Sequence, residues 1–98
     1  MEREKKAQKK IDHETQKLIL YQFESCPFCI KVRRAIKRLN LKIEQRDAQR
    51  IEKFRKELIS EGGLFQTPCL RITKKDGSIQ WMYESSDIIK YLQKRFAE

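Results

Sequence analysis

Apolar residues along the 98-residue chain switch between two periods, and the switches mark out its elements. LILYQF, from Leu18 to Phe23, is an apolar, β-rich run that predicts a buried central strand. Pro27 marks a helix start, because proline is favoured at the first helical position. From there Cys29, Val32, Ala35, Ile36 and Leu39 recur at helical spacing, with Lys31, Arg33, Arg34, Lys37 and Arg38 on the opposite face. Asn40 supplies a stop. Leu41 to Asp47 alternates apolar and polar, which predicts a second strand, and Arg50 to Glu61 predicts a helix with Ile51, Phe54 and Leu58 on one face. Gly62 and Gly63 end that helix. Cys69 to Thr73 and Ile79 to Tyr83 predict two strands, joined by a hairpin at Asp76-Gly77. SSDIIKYLQKRF closes the pattern as a helix capped by a serine, with Ile88, Ile89, Tyr91, Leu92 and Phe96 on its apolar side.

The order β-α-β-α-β-β-α predicts an α/β fold. A parallel, right-handed βαβ unit and an antiparallel hairpin would form a four-stranded mixed sheet flanked by helices on both faces. Residues 1–16 carry almost no large apolar residues and nearly balanced charges, so they are expected as a flexible or helical arm before a single domain at 17–98. His13, alone in that arm, reads as solvated.

Composition narrows the function classes. The net charge of +9, with 38% charged residues, reads as a solvated surface, as a polyanion-binding face, or as a field favouring acidic substrates and thiolates. Charge alone does not choose, and no nucleic-acid partner is expected. No apolar run reaches the length of a membrane span, and the N-terminus lacks the apolar core of a signal peptide, so a cytoplasmic location is expected. Three cysteines are too few and too odd for a disulfide-stapled scaffold, and in a reducing compartment a close CxxC is more often catalytic or metal-binding. One CxxC, a distant Cys69 and one histidine make a poor zinc set, so no metal is expected.

Cys26 and Cys29 lie in ESCPFCIKV, where a strand gives way to a helix. There the free backbone N–H groups and the helix dipole favour a thiolate at Cys26, and the basic residues of the helix add to that. Cys29, one turn on and facing inward, is sheltered and placed to attack a mixed disulfide on Cys26. Two small buried hydrophobes would explain Cys29 but not Cys26 at the mouth of the helix. Thr67-Pro68, at the entry to the third strand, is a candidate cis bond that would turn backbone groups outward to pair with an extended substrate; an ordinary loop proline is the alternative. Cys69 reads first as a buried strand residue and second as an extra thiol near the pair. Ser85 and Ser86 at a helix N-terminus form a ready carboxylate site, and Glu84 could take an ammonium group, although plain capping needs only one serine.

CPFC, TP and ESSDI, in this order and spacing, resemble the glutaredoxin family over roughly residues 17–96. LYQFESCPFC and ESSDIIKYL also resemble the N-terminal domain of glutathione transferases, which shares that thioredoxin-like fold; no second, all-helical domain follows, so a small stand-alone protein of a transferase-like branch is expected. The resemblance implies a glutathione-dependent thiol–disulfide oxidoreductase acting on disulfides or protein–glutathione mixed disulfides. In it Cys26 is the nucleophile and Cys29 the resolving thiol. Phe28, Thr67, Pro68, Glu84, Ser85 and Ser86 would bind glutathione as co-substrate. Thr67 would hold its cysteine through the backbone, Ser85 and Ser86 the γ-glutamyl carboxylate, and Glu84 the amine. The partners implied are glutathione and disulfide-bearing or glutathionylated proteins, with the chain a monomer. Phe23 stands where many relatives have a lysine that aids thiolate formation and binds the glycine carboxylate; Lys31 and Arg46 are substitutes for that second task. The rival readings are an iron–sulfur cluster-binding glutaredoxin, a glutathione-binding transferase or isomerase module, and a polyanion- or membrane-surface-binding protein.

Overall fold

Alternate residues of β1 (Leu18–Gln22) and β3 (Cys69–Thr73) point to opposite faces of one sheet, and each face has its own core. The computed structural model describes residues 3–97. It contains α1 (Lys5–Thr15), β1, α2 (Pro27–Arg38), β2 (Glu44–Asp47) and α3 (Glu52–Glu57), which runs on as a π-helical turn over Leu58–Gly62. β3, β4 (Ile79–Met82) and α4 (Ser85–Phe96) complete it. The sheet order is β2-β1-β3-β4, with β1 parallel to β2 and antiparallel to β3, and β3 antiparallel to β4. This is the mixed four-stranded sheet that the hydrophobic pattern predicts, and the fold is thioredoxin-like.

Leu18 and Leu20 of β1 and Leu70 and Ile72 of β3 face α2 and α4, packing on Val32, Ile36, Leu92 and Phe96. Tyr21 and Cys69 face the other way, onto Leu58, Phe54 and Trp81. Both faces are covered, which is why the strands read as continuous apolar runs instead of clean alternations. Asn40, at φ 53, closes the end of α2, and Asp76 accepts from the Ser78 N–H at 2.9 Å to fix the hairpin turn that Gly77 completes at φ 87.

Three details depart from the sequence pattern. The second strand is shorter than Leu41–Asp47: Leu41 and Ile43 are buried, but outside the strand, in the connection that enters it. Ile51, expected on the inner face of a helix from Arg50, precedes α3 and is exposed, whereas Leu58, where the wider π turn begins, is fully buried. The last helix is not capped by a serine: Glu84 holds the cap position without a side-chain cap bond, and Ser85 is the first helical residue. The charged N-terminal segment takes the helical of its two expected forms, as α1, and is tied down by Gln8 to the Asn40 carbonyl (3.1 Å), by Glu14 to Arg95 (2.9 Å) and by Ile11 against the core.

Beneath the sheet, the hydroxyl of buried Tyr21 donates to Glu57 at 2.8 Å and accepts from Arg46 at 3.1 Å, while Arg46 pairs with Glu57 at 2.7 Å. The triad joins β1, β2 and α3 at the side of the sheet that carries the second core. Tyr21→Phe removes two hydrogen bonds but keeps the ion pair. It is expected to cost about 1 kcal/mol, read as a lower urea midpoint at unchanged m-value.

Candidate active site at the head of the second helix

The chain leaves β1 through Phe23, Glu24 and Ser25 and enters α2 at Cys26, which holds the cap position with extended backbone (φ −72, ψ 124) and Pro27 just inside. The Cys26 carbonyl accepts the first helical bond, from Ile30 N–H at 2.9 Å. Cys26 is partly exposed, and Cys29, one turn on, is fully buried. The two sulfurs have opposite environments. At Cys26, burial pushes the thiol up, but hydrogen bonds from the Cys29 N–H, the Cys29 side chain and the Phe28 N–H, with the charge of Arg33, outweigh it and hold the pKa below the ordinary thiol value. At Cys29, burial and the neighbouring Cys26 push the thiol up, against hydrogen bonds from the Phe23 N–H (3.4 Å to Sγ) and the Thr67 side chain. Both cysteines are free, so the site is a dithiol in this structure.

Arg33 is the residue that the sequence pattern did not single out. Its guanidinium reaches back from α2 to the Gln22 side chain, to the Phe23 carbonyl at 3.2 Å and to the Glu24 carbonyl at 2.7 Å. Three acceptors on three consecutive residues are thereby fixed to one rigid fork. Phe23 packs on Phe65, ring centres 5.6 Å apart. Arg46 pairs with Glu44 and Glu57 and donates to the Tyr21 hydroxyl, as described for the second core. Lys31 lies over the ring of Phe28 at 5.8 Å.

Beside the thiols a cleft of ≈ 120 Å³ is lined by Phe28, Gln66, Thr67, Pro68, Tyr83, Glu84 and Ser85. The Thr67-Pro68 bond is cis. Five of the six residues expected to bind glutathione therefore line one cleft, together with Gln66 and Tyr83, which the sequence did not mark. Ser86 is exposed on the first turn of α4 outside that lining. The cleft is smaller than the ~300–1,000 Å³ usual for a whole small molecule, so it suits one end of an extended ligand. Tyr83 is held by the Leu64 N–H, which its hydroxyl accepts at 3.3 Å, and by a hydrogen bond to Cys69. Cys69 itself is fully buried, and burial pushes its thiol up to about 12. It is a protonated packing residue at neutral pH, not a third reactive thiol.

Among the described residues no group of three or more His, Cys, Asp or Glu is placed to hold a metal ion, and no helix is long and apolar enough to cross a membrane.

Residues 20–98 match the family model described as glutathione S-transferase, N-terminal domain. No curated protein matches the chain in sequence. Among solved structures, the thioredoxin-like protein BC3987 is similar at 26% identity and a TM-score of 0.61, over 80% of this chain and 97% of that one. Glutathione transferase E6 from Drosophila melanogaster is similar at 25% identity and a TM-score of 0.65, over 84% of this chain and 36% of that one. Maleylacetoacetate isomerase from Anaeromyxobacter dehalogenans, solved with GSH bound in its active site, shares the fold at 22% identity and a TM-score of 0.64, over 83% of this chain and 38% of that one. The chain thus spans little more than a third of the transferase and isomerase chains it matches.

This geometry sets two expected outcomes. A thiol whose pKa is lowered becomes thiolate at lower pH, so the rate of Cys26 alkylation should level off at a pH below that of a free thiol, about 8.5. Arg33→Gln should shift that plateau upward and slow alkylation a few-fold at pH 7, as measured with iodoacetamide across a pH series. Separately, a Cβ at Gly62 would lie 2.9 Å from Trp81 Cε3 and closer still to the Tyr83 hydroxyl. Gly62→Ala should displace Tyr83 from the cleft wall and weaken ligand binding there while leaving Cys26 alkylation unchanged.

Proposed function

This chain belongs to the glutathione S-transferase N-terminal domain family, and from that premise we propose that it is a glutathione-dependent thiol–disulfide oxidoreductase. The observation that carries the reading is the inequality of the two thiols: Cys26 is partly exposed with a lowered pKa, and Cys29 is buried with a raised one. Family membership accounts for the fold and for the cleft, but transfer or isomerisation chemistry requires no second sulfur behind the first. Disulfide exchange uses both.

In this reading Cys26 thiolate attacks the glutathione sulfur of a protein–glutathione mixed disulfide. The S–S bond breaks, the protein thiolate leaves and takes a proton, and glutathione remains on Cys26. A second glutathione, as thiolate, attacks its bound sulfur, releases oxidised glutathione and restores the Cys26 thiolate. The sum is one mixed disulfide and one glutathione converted to one protein thiol and one oxidised glutathione. With a protein disulfide, Cys29 instead attacks Cys26 and closes an internal disulfide, which two glutathiones reopen. The raised pKa of Cys29 keeps its resting thiol protonated, and the hydrogen bonds from the Phe23 N–H and the Thr67 side chain offset part of the cost of forming its thiolate.

The cleft next to the thiols supports glutathione as the co-substrate. Thr67 and Pro68 border the cysteine position, and the N-terminus of α4, with Ser85 in its first turn, favours a carboxylate. Glu84 stands beside it for the α-ammonium group, so the γ-glutamyl head meets both charges it needs. Ser86 adds a hydroxyl at the rim.

A second reading rests on the similarity to the transferase and isomerase structures: glutathione held in the same cleft, with Cys26 acting on a carbon electrophile. The two readings part in one assay series. Cys26→Ser should abolish glutathione-coupled reduction of a mixed disulfide, a loss of at least about a hundredfold given that the nucleophile itself is removed. Cys29→Ser should keep deglutathionylation and lose reduction of protein disulfides. Full activity in Cys26→Ser would sink the redox reading, and turnover of an electrophile without any disulfide activity would favour the second.

A further inference from the structure

Helix α2 carries five basic residues and no acidic one in the stretch PFCIKVRRAIKR. Elsewhere several cations are matched: Lys17 with Glu14, Lys42 with Asp12, Arg50 with Glu24, Lys56 with Glu52. Lys31, Arg34 and Lys37 are exposed and form no ion pair among the described residues. They stand at three-residue intervals along the outer side of α2, beginning little more than one turn from Cys26. Unmatched like charges on one helix oppose its stability, and nothing in the packing of the domain requires them.

A second feature meets this ridge at the thiol. Phe28 is 57% exposed, Leu64 55% and Phe65 51%. Phe28 borders the cleft, and Phe65 packs on Phe23, whose carbonyl accepts the Cys26 N–H. Phe28 and Phe65 therefore lie at the same end of the domain as the thiols. Phe28 belongs to the lining of the cleft, whereas Leu64 and Phe65 lie outside it.

Resting on the redox reading above, we infer that the disulfide substrate is an acidic polypeptide that seats an apolar residue against Phe28 and Phe65 and lays carboxylates along the α2 ridge. The commitment to a polypeptide rests on the ridge: three unmatched cations reaching about 16 Å from Cys26 call for several carboxylates on one extended chain. Helical rise gives the spacing. From Cys26 to Lys37 the ridge runs about 16 Å, the length of about five extended residues. The acidic residues of the substrate lie within that distance of its cysteine.

The test uses two synthetic peptides, each with a glutathionylated cysteine beside a leucine, one carrying three glutamates and the other three lysines within five residues. A small cysteine–glutathione mixed disulfide serves as the control. The full chain should turn over the acidic peptide with a kcat/KM about tenfold or more above the basic one at low salt, and the gap should close near 1 M salt, where charges are screened beyond about 3 Å. The double variant Arg34→Glu, Lys37→Glu should lose or invert the preference while turning over the small disulfide at the original rate. Equal rates on the two peptides, or a preference that survives charge reversal, would overturn the inference and leave the redox reading standing. No turnover of the small disulfide would remove the redox reading and this inference with it. If the double variant instead lost binding to an RNA oligonucleotide or to phosphatidylserine vesicles with the peptide preference intact, the ridge would serve a different polyanion and the inference would fall.

Discussion

Everything at the reactive end of this domain hangs on how the chain turns from β1 into α2. The turn is three residues long and carries no glycine to relax it. It is fixed from below by the strand, whose partners lie on both sides, and from behind by the Arg33 fork on Gln22, Phe23 and Glu24. One consequence is that the Phe23 N–H points at Cys29 while its carbonyl receives the Cys26 N–H. A single residue thus holds both sulfur-bearing positions through its backbone, and its side chain packs with Phe65. Where a cation at that position would act on the thiol directly, here the cation is supplied ten residues later, across one helical face. The guanidinium orders the backbone as well as lending charge.

The two faces of the sheet divide the labour. The α2–α4 face is aliphatic and continuous, and it fixes the heads of both helices relative to β1 and β3. The opposite face is mixed: Tyr21, Trp81, Tyr83, Cys69 and the Arg46–Glu57 pair share it with Leu58. Tyr21, Arg46 and Glu57 satisfy one another's polar atoms there, while Arg71 Nε, over the Trp81 ring, is buried without a hydrogen-bond partner, and the π turn brings Gly62 close against Tyr83 and Trp81. The wall of the cleft is therefore the upper rim of the second core.

Much of the fold was legible because β1, α2, β3 and α4 bury long, uninterrupted apolar faces whose periods differ. The unequal burial of the two cysteines was legible for the same reason: Cys29 falls in register with Val32 and Ile36, and Cys26 does not. The features that escaped the sequence depend on contacts distant along the chain. Arg33 looks like one cation among five until its reach to the turn is seen. Gln66 and Tyr83 enter the cleft only because the loop and β4 are folded onto each other. Serine chemistry at the head of α4 suggested a capping side chain, but the helix begins one residue earlier than that cap would allow. The N-terminal segment offered one isoleucine to bury, and its attachment comes from polar contacts to Asn40, Arg95 and Lys42, which have no periodic signature.

The burial of Cys69 has a bearing on oxidative damage. With that thiol protonated and sealed under Tyr83, peroxide finds only Cys26 as a ready thiolate. A sulfenic acid formed there would sit against Cys29 and condense with it, losing water, before a second oxidation could reach the irreversible sulfinic stage. The same arrangement that makes the pair unequal would make the exposed sulfur self-protecting, and an electrophilic probe would report on one site in a chain of three cysteines.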